Sequence, residues 1–113
     1  MSKLKVETLT SGDGINYPKE GQSVTVHYCA YIGSECKQNA KFDSTRDRGK
    51  PFKFKLGVGQ VIRGLDDGVA QLSIGERAKI IVPPRLGYGK DGFPSLVGPN
   101  EVLTFDCDLV SFN

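Results

Sequence analysis

The chain has three cysteines, one histidine and no tryptophan. Cys29, Cys36 and Cys107 are odd in number and form no Cys-x-x-Cys pair, and His27 has no second ligand at metal spacing. Neither a disulfide framework nor a metal centre is therefore expected, and free thiols fit a reducing compartment. No apolar run approaches the length that spans a bilayer. The opening Met1-Ser2-Lys3-Leu4-Lys5 lacks the apolar core of a secretory signal and has serine where myristoylation needs glycine. The expectation is a cytoplasmic protein that engages no membrane and needs no cofactor. Charge of one sign is scarce as well: 15 basic against 13 acidic residues leave +2 at pH 7, so no chain-wide field draws nucleic acid.

What is present reads as one domain over residues 1–113. A chain of this size buries roughly two-thirds of its unfolded surface, and 38% hydrophobic with 25% charged residues is ordinary globular usage. No apolar stripe is left over for association, so a monomer is expected. One local excess of charge stands out, with Lys41, Arg46, Arg48, Lys50, Lys53 and Lys55 against Asp43 and Asp47. It reads either as a solvated strand face and turn or as a docking rim for an acidic protein partner.

Strand periodicity dominates. From Ser23 to Ile32, Val24, Val26, Tyr28, Ala30 and Ile32 share one face, while Ser23, Thr25, His27, Cys29 and Tyr31 share the other. Phe52, Phe54 and Leu56 alternate with Lys53 and Lys55, giving a dry and a wet face. Ala78, Ile80 and Val82 read as inward, as do Leu103, Phe105, Cys107 and Leu109; Asp106 and Asp108 then fall on the solvated face. A further strand fits residues 4–9, before the turn-rich Ser11-Gly12-Asp13-Gly14.

One segment reads as a helix. Ile62, Leu65, Val69 and Leu72 recur at helical spacing, and Asp66 and Asp67 stand early, where the helix dipole favours acids. Gly64 and Gly68 cost about 1 kcal/mol each against alanine, so this helix is short and held by packing. One helix across an antiparallel sheet is an α+β arrangement. The run Gly57-Val58-Gly59-Gln60-Val61-Ile62-Arg63-Gly64 joins strand to helix, its glycines permitting a tight reversal. Val61 and Ile62 then arrive beside the unpaired N–H groups of a helix start. An apolar floor with a few backbone donors suits a neutral, proline-like guest. The Gly-x-Gly is no dinucleotide fingerprint, since Ile62 stands at the third glycine position and no βαβ unit surrounds it. Nor do the phenylalanines and lysines around Lys53 share a face on which bases could stack.

Gly59-Gln60-Val61-Ile62-Arg63-Gly64, Asp67-Gly68, Gly75-Glu76 and Val82-Pro83-Pro84-Arg85-Leu86-Gly87-Tyr88-Gly89 resemble the FKBP family of peptidyl-prolyl isomerases. Val26-His27-Tyr28, Phe42-Asp43-Ser44, Arg46 and Pro51-Phe52 match upstream, so the resemblance runs nearly the whole chain in order. It implies a five- or six-stranded antiparallel sheet wrapped around one short helix, and a pocket that binds X-Pro segments of client proteins and macrolides such as tacrolimus and rapamycin.

Carried over by position, Tyr28, Phe42, Phe52, Val61, Ile62, Tyr88 and Phe105 would wall that pocket, with Gln60 beside them. The Ile62 N–H and the Tyr88 hydroxyl would donate to ligand carbonyls. Asp43 at the edge would serve catalysis with Tyr28, Phe42, Tyr88 and Phe105, or act structurally as a partner of Tyr28 or Arg46. Leu96 and Val97, after Phe93-Pro94, would form a flexible rim. The chain departs from the family where most members place a floor tryptophan, here Leu65, and where small members often have histidine, here Phe93. Its residue 33–41 loop is also longer than in the shortest relatives. The resemblance leaves two readings: an isomerase, or a weakly active adaptor working through the basic stretch and the loop over residues 87–99.

Overall fold

The computed structural model describes residues 3–113. Strands β1 (Lys5–Thr10), β2 (Ser23–Ile32), β3 (Lys41–Ser44), β4 (Phe52–Lys55), β5 (Arg77–Val82) and β6 (Leu103–Phe112) form one six-stranded antiparallel sheet. Its order is β1-β5-β6-β2-β3, with β4 also on β2. β4 pairs along residues 23–26 of β2 and β3 along residues 29–31, so the two follow one another. Helix α1 (Thr45–Arg48) turns the chain from β3 towards β4, and α2 (Arg63–Val69) packs on the sheet.

The period-two faces meet in one core. Val24, Val26 and Ala30 of β2, Ala78, Ile80 and Val82 of β5, and Leu103, Cys107 and Leu109 of β6 are all fully buried. Leu65, Val69 and Leu72 close it from the helical side. The helix glycines, a cost by propensity alone, are what allow this closure. A Cβ on Gly64 would stand 2.4 Å from Val82 Cγ1, and one on Gly68 would stand 2.6 Å from Ile80 Cγ2. Without side chains at these two positions, α2 lies directly against β5.

Two expectations need correction, and one outward strand face is covered. Cys29 and Tyr31 face away from the core yet are 9% and 7% exposed. The chain beyond β2 covers them: Cys29 Sγ lies 3.2 Å from both Ser44 Oγ and Arg46 Nη1. Asp106 is no solvated carboxylate either. It is 8% exposed and takes Arg77 Nε and Nη2 at 2.8 and 2.7 Å, with Arg46 Nη2 at 3.6 Å. Burial opposes its ionisation, but the Arg77 hydrogen bonds and the charges of Arg46, Arg77 and Lys79 outweigh it and hold the carboxyl below its usual range. Finally, α2 has a companion in α1, which is too short to show periodicity. Ser44 caps it by accepting from Asp47 N at 3.0 Å, and Gly49 ends it in the left-handed region at φ 68°.

Candidate active site

The cavity is built from the start of α2 outward. Residues 56–59 turn with Gly57 and Gly59 at φ 77° and 79°, values that glycine adopts without strain. Asp66, one turn into α2, reaches back and accepts from the Gly57 N–H at 2.9 Å and the Gly59 N–H at 3.2 Å. Gln60 closes the same turn by accepting from Lys55 N at 2.8 Å. Ile62 therefore arrives as the cap residue of α2 with extended backbone, φ −57° and ψ 149°. Among the described residues its N–H has no hydrogen-bond partner.

Tyr28, Phe42, Asp43, Phe52, Gln60, Val61, Ile62, Leu65, Tyr88 and Phe105 line a cavity of about 190 Å³. Five elements contribute: β2 gives Tyr28, β3 gives Phe42 and Asp43, β4 gives Phe52, α2 gives Leu65 and β6 gives Phe105. Tyr28 is the pivot of the aromatic wall, edge-on to Phe52 at 6.1 Å and to Phe105 at 5.7 Å. Such edge-to-face contacts fix ring positions and leave an apolar surface between them.

Three of the residues named from the resemblance stand elsewhere. Phe93 and Leu96 are 43% and 50% exposed and do not line the cavity, although Phe93 meets Tyr88 edge-on at 5.3 Å. Val97 is no open rim. It is 6% exposed, packs into the core, and exchanges backbone hydrogen bonds with Phe93.

Polar groups concentrate on one side of the cavity. The Tyr28 hydroxyl donates to Asp43 Oδ2 at 2.6 Å, while Asp43 Oδ1 accepts from the Ser44 N–H at 2.9 Å and from Arg48 Nη1. The arginine that pairs Asp43 is thus Arg48, not Arg46. Burial works against ionisation of Asp43, but the hydrogen bonds from Tyr28 and Arg48, with the Arg48 charge and the Ser44 N–H, keep its carboxyl below the usual value. Burial and the neighbouring Asp43 carboxylate push the Tyr28 phenol up, so it remains a donor. Burial, and then the Asp43 charge, raise Tyr88 as well. Among the described residues the Tyr88 hydroxyl has no partner.

Thr45 also belongs to this support, though sequence reasoning passed over it. Its fully buried hydroxyl accepts from the Tyr28 N–H at 2.8 Å and lies 2.8 Å from His27 Nδ1. The signal was present in Ser44-Thr45-Arg46-Asp47, a capping pattern that announces a helix start. Of the basic stretch, Arg46 pairs with Asp108 at 3.0 Å, Arg48 with Asp43, and Lys41 with Asp47 at 2.6 Å. Among the described residues no group of histidine, cysteine and acidic side chains could hold a metal ion.

A family model described as FKBP-type peptidyl-prolyl cis-trans isomerase matches residues 14–110. The chain is similar to the peptidyl-prolyl cis-trans isomerase Fkbp12 of Drosophila melanogaster, 52% identical over 107 residues that cover 95% of each chain. It is 50% identical, with the same coverage, to the peptidyl-prolyl cis-trans isomerase FKBP1A of Xenopus laevis. FK506-binding protein 1 of Yarrowia lipolytica is 49% identical over 110 residues, 97% of this chain and 98% of that one.

Proposed function

The chain belongs to the FKBP-type peptidyl-prolyl cis-trans isomerases and is an isomerase of that kind, and from that premise we propose that the cavity under Tyr28 and Tyr88 seats the proline of an X-Pro segment and there lowers the barrier to rotation. That barrier is about 18–20 kcal/mol, because twisting the amide destroys the resonance that keeps it planar. A twisted amide is less dipolar than a planar one, so a dry aromatic wall disfavours the ground state more than the transition state. Each ~1.4 kcal/mol of that difference is tenfold in rate.

The observation that carries this reading is a pair of donors without partners among the described residues, the Ile62 N–H and the Tyr88 hydroxyl, beside the aromatic wall of the cavity. They anchor the substrate backbone while the other side of the bond turns. Tyr28, Phe42, Phe52, Val61, Leu65 and Phe105 exclude water, and Asp43, held by Arg48, fixes the Tyr28 ring and places a negative charge near the reacting amide. The same cavity and donors fit tacrolimus and rapamycin, whose carbonyls would meet those two groups.

The adaptor reading has less behind it, since Lys41, Arg46 and Arg48 already face carboxylates of their own chain. Isomerisation of a short X-Pro peptide, measured with and without the folded protein, separates the two. Acceleration supports the proposed site, and a rate equal to the uncatalysed one gives the adaptor reading the lead.

A further inference from the structure

Another pocket, about 220 Å³ in volume, lies where Thr8 of β1, the turn over residues 11–14, Tyr17 and the turn over residues 73–76 meet. It shares no lining residue with the proline cavity. Its walls are tied to one another. The Gly14 N–H donates to Ser73 Oγ at 3.0 Å, the Asp13 N–H to the Ile74 carbonyl at 2.9 Å, and the Ile74 N–H to the Asn16 carbonyl at 3.0 Å.

Glu76 is the group in this pocket that calls for a guest. It is 8% exposed, and a glutamate so buried is rarely left without a cation. Among the described residues no lysine, arginine or histidine pairs with it. Only neutral donors reach it: Oε1 accepts from the Ser73 N–H at 3.0 Å and the Ser73 hydroxyl at 3.4 Å, and Oε2 accepts from the Thr8 hydroxyl at 2.7 Å. A carboxylate has about four acceptor sites, so one remains on Oε2. The Ser11 and Tyr17 hydroxyls on the same lining have no partner among the described residues. The pocket thus offers one anion and several hydroxyl oxygens, with no cation among its lining residues.

A primary ammonium, a compact charge with three donors and no acceptor, matches that set. A guanidinium matches it less well, because its fork seeks both oxygens of a carboxylate and Oε1 is already taken. A divalent cation needs six or more oxygens, and no group of acidic, histidine and cysteine side chains among the described residues could hold one. The volume is below the roughly 300 Å³ at which sites for drug-sized ligands begin, and suits one side chain. Tyr17 and Ile15 are exposed, and give a methylene stem apolar surface to lie on. We propose that this pocket captures the ammonium of a lysine side chain carried by a partner protein.

The test titrates a capped Gly-Lys-Gly peptide, which has no proline, into the full chain and follows the amide resonances of Gly12, Gly14, Ser73 and Glu76. The expected result is saturable binding at these amides with a Kd of about 1 mM, weakened about tenfold or more when the lysine is Nε-acetylated and its charge removed. Glu76→Gln keeps the shape of the site without the charge and should weaken binding by a similar factor. Tyr17→Ala, at an exposed position, should weaken it about threefold and gives a reading even if the Glu76 variant does not fold. 1,5-Diaminopentane carries the same ammonium without a peptide and should bind no tighter; tighter binding would overturn a protein lysine as the source. Equal binding of the acetylated peptide, or shifts confined to exposed carboxylates such as Glu7 and Glu35, overturns the site itself.

Discussion

The Tyr28 hydroxyl and Asp43 Oδ2 are 2.6 Å apart, and the carboxylate that accepts this bond is held from its other oxygen by Arg48 and the Ser44 N–H. Tyr28→Phe removes one of three supports and leaves the ring contacts with Phe52 and Phe105. Denaturant unfolding should show a loss of about 1 kcal/mol, the net worth of one such hydrogen bond, and kcat/KM should fall by about tenfold or less. A loss above about 3 kcal/mol would mean that the ring itself had moved.

Tyr88→Phe breaks no hydrogen bond within the described protein. Stability should stay within about 0.5 kcal/mol of the parent, while tacrolimus affinity, read by calorimetry, weakens about tenfold through the loss of one buried donor. Equal affinity would remove the anchoring role.

Leu65 is 5% exposed and lines the cavity floor. Leu65→Trp adds volume to a packed site, at a cost of about 1–3 kcal/mol in stability, but it places a flat ring beneath the guest. Tacrolimus affinity and peptide isomerisation should both rise. No change in affinity would show that the guest does not rest on this residue.

Gly64→Ala sets helix propensity against packing. The gain is about 1 kcal/mol, but the new methyl arrives 2.4 Å from Val82 Cγ1, and overpacking of that kind costs about 1–3 kcal/mol. The expected sum is a lower melting temperature. A higher one would mean that α2 can move away from β5.

Acid should weaken the fold through Asp106. Its folded pKa is lowered, burial notwithstanding, by Arg77 and the nearby cations. Its contribution is therefore complete above the unfolded value of about 3.9 and is lost as pH falls through the lower folded value. Asp106→Asn should be less stable than the parent at neutral pH. Its melting temperature should fall less than the parent's between about pH 5 and pH 2; parallel curves would deny the ion pair that role.

The strands were legible because each buries one face, and alternation records that directly: β2 spans Ser23–Ile32, and the residues read as inward on β5 and β6 are core. What alternation misses is cover supplied from far along the chain. Cys29 and Tyr31 sit at outward positions and are buried by the chain beyond β2, and Asp106 is buried by the distant arginines Arg77 and Arg46. Propensity made Gly64 and Gly68 look like weaknesses, because the Val82 and Ile80 side chains that require them belong to another element. Around the cavity, ten residues named from the sequence do meet. In the loop over residues 93–97 the backbone closes on itself and draws Val97 into the core, while Phe93 and Leu96 stay exposed and off the cavity lining. Arg48 and Asp66 were missed as partners because a single carboxylate or guanidinium carries no periodic signal.

Asp66 holds the amides of Gly57 and Gly59 from within α2. Fraying of the first helical turn and opening of the glycine turn are consequently one event, and hydrogen exchange at those two amides should report the same opening free energy. A guest that entered by pushing the glycine turn aside would have to unravel the floor it was about to rest on. The glycine turn is therefore a fixed edge of the cavity, set by a carboxylate of the helix it precedes.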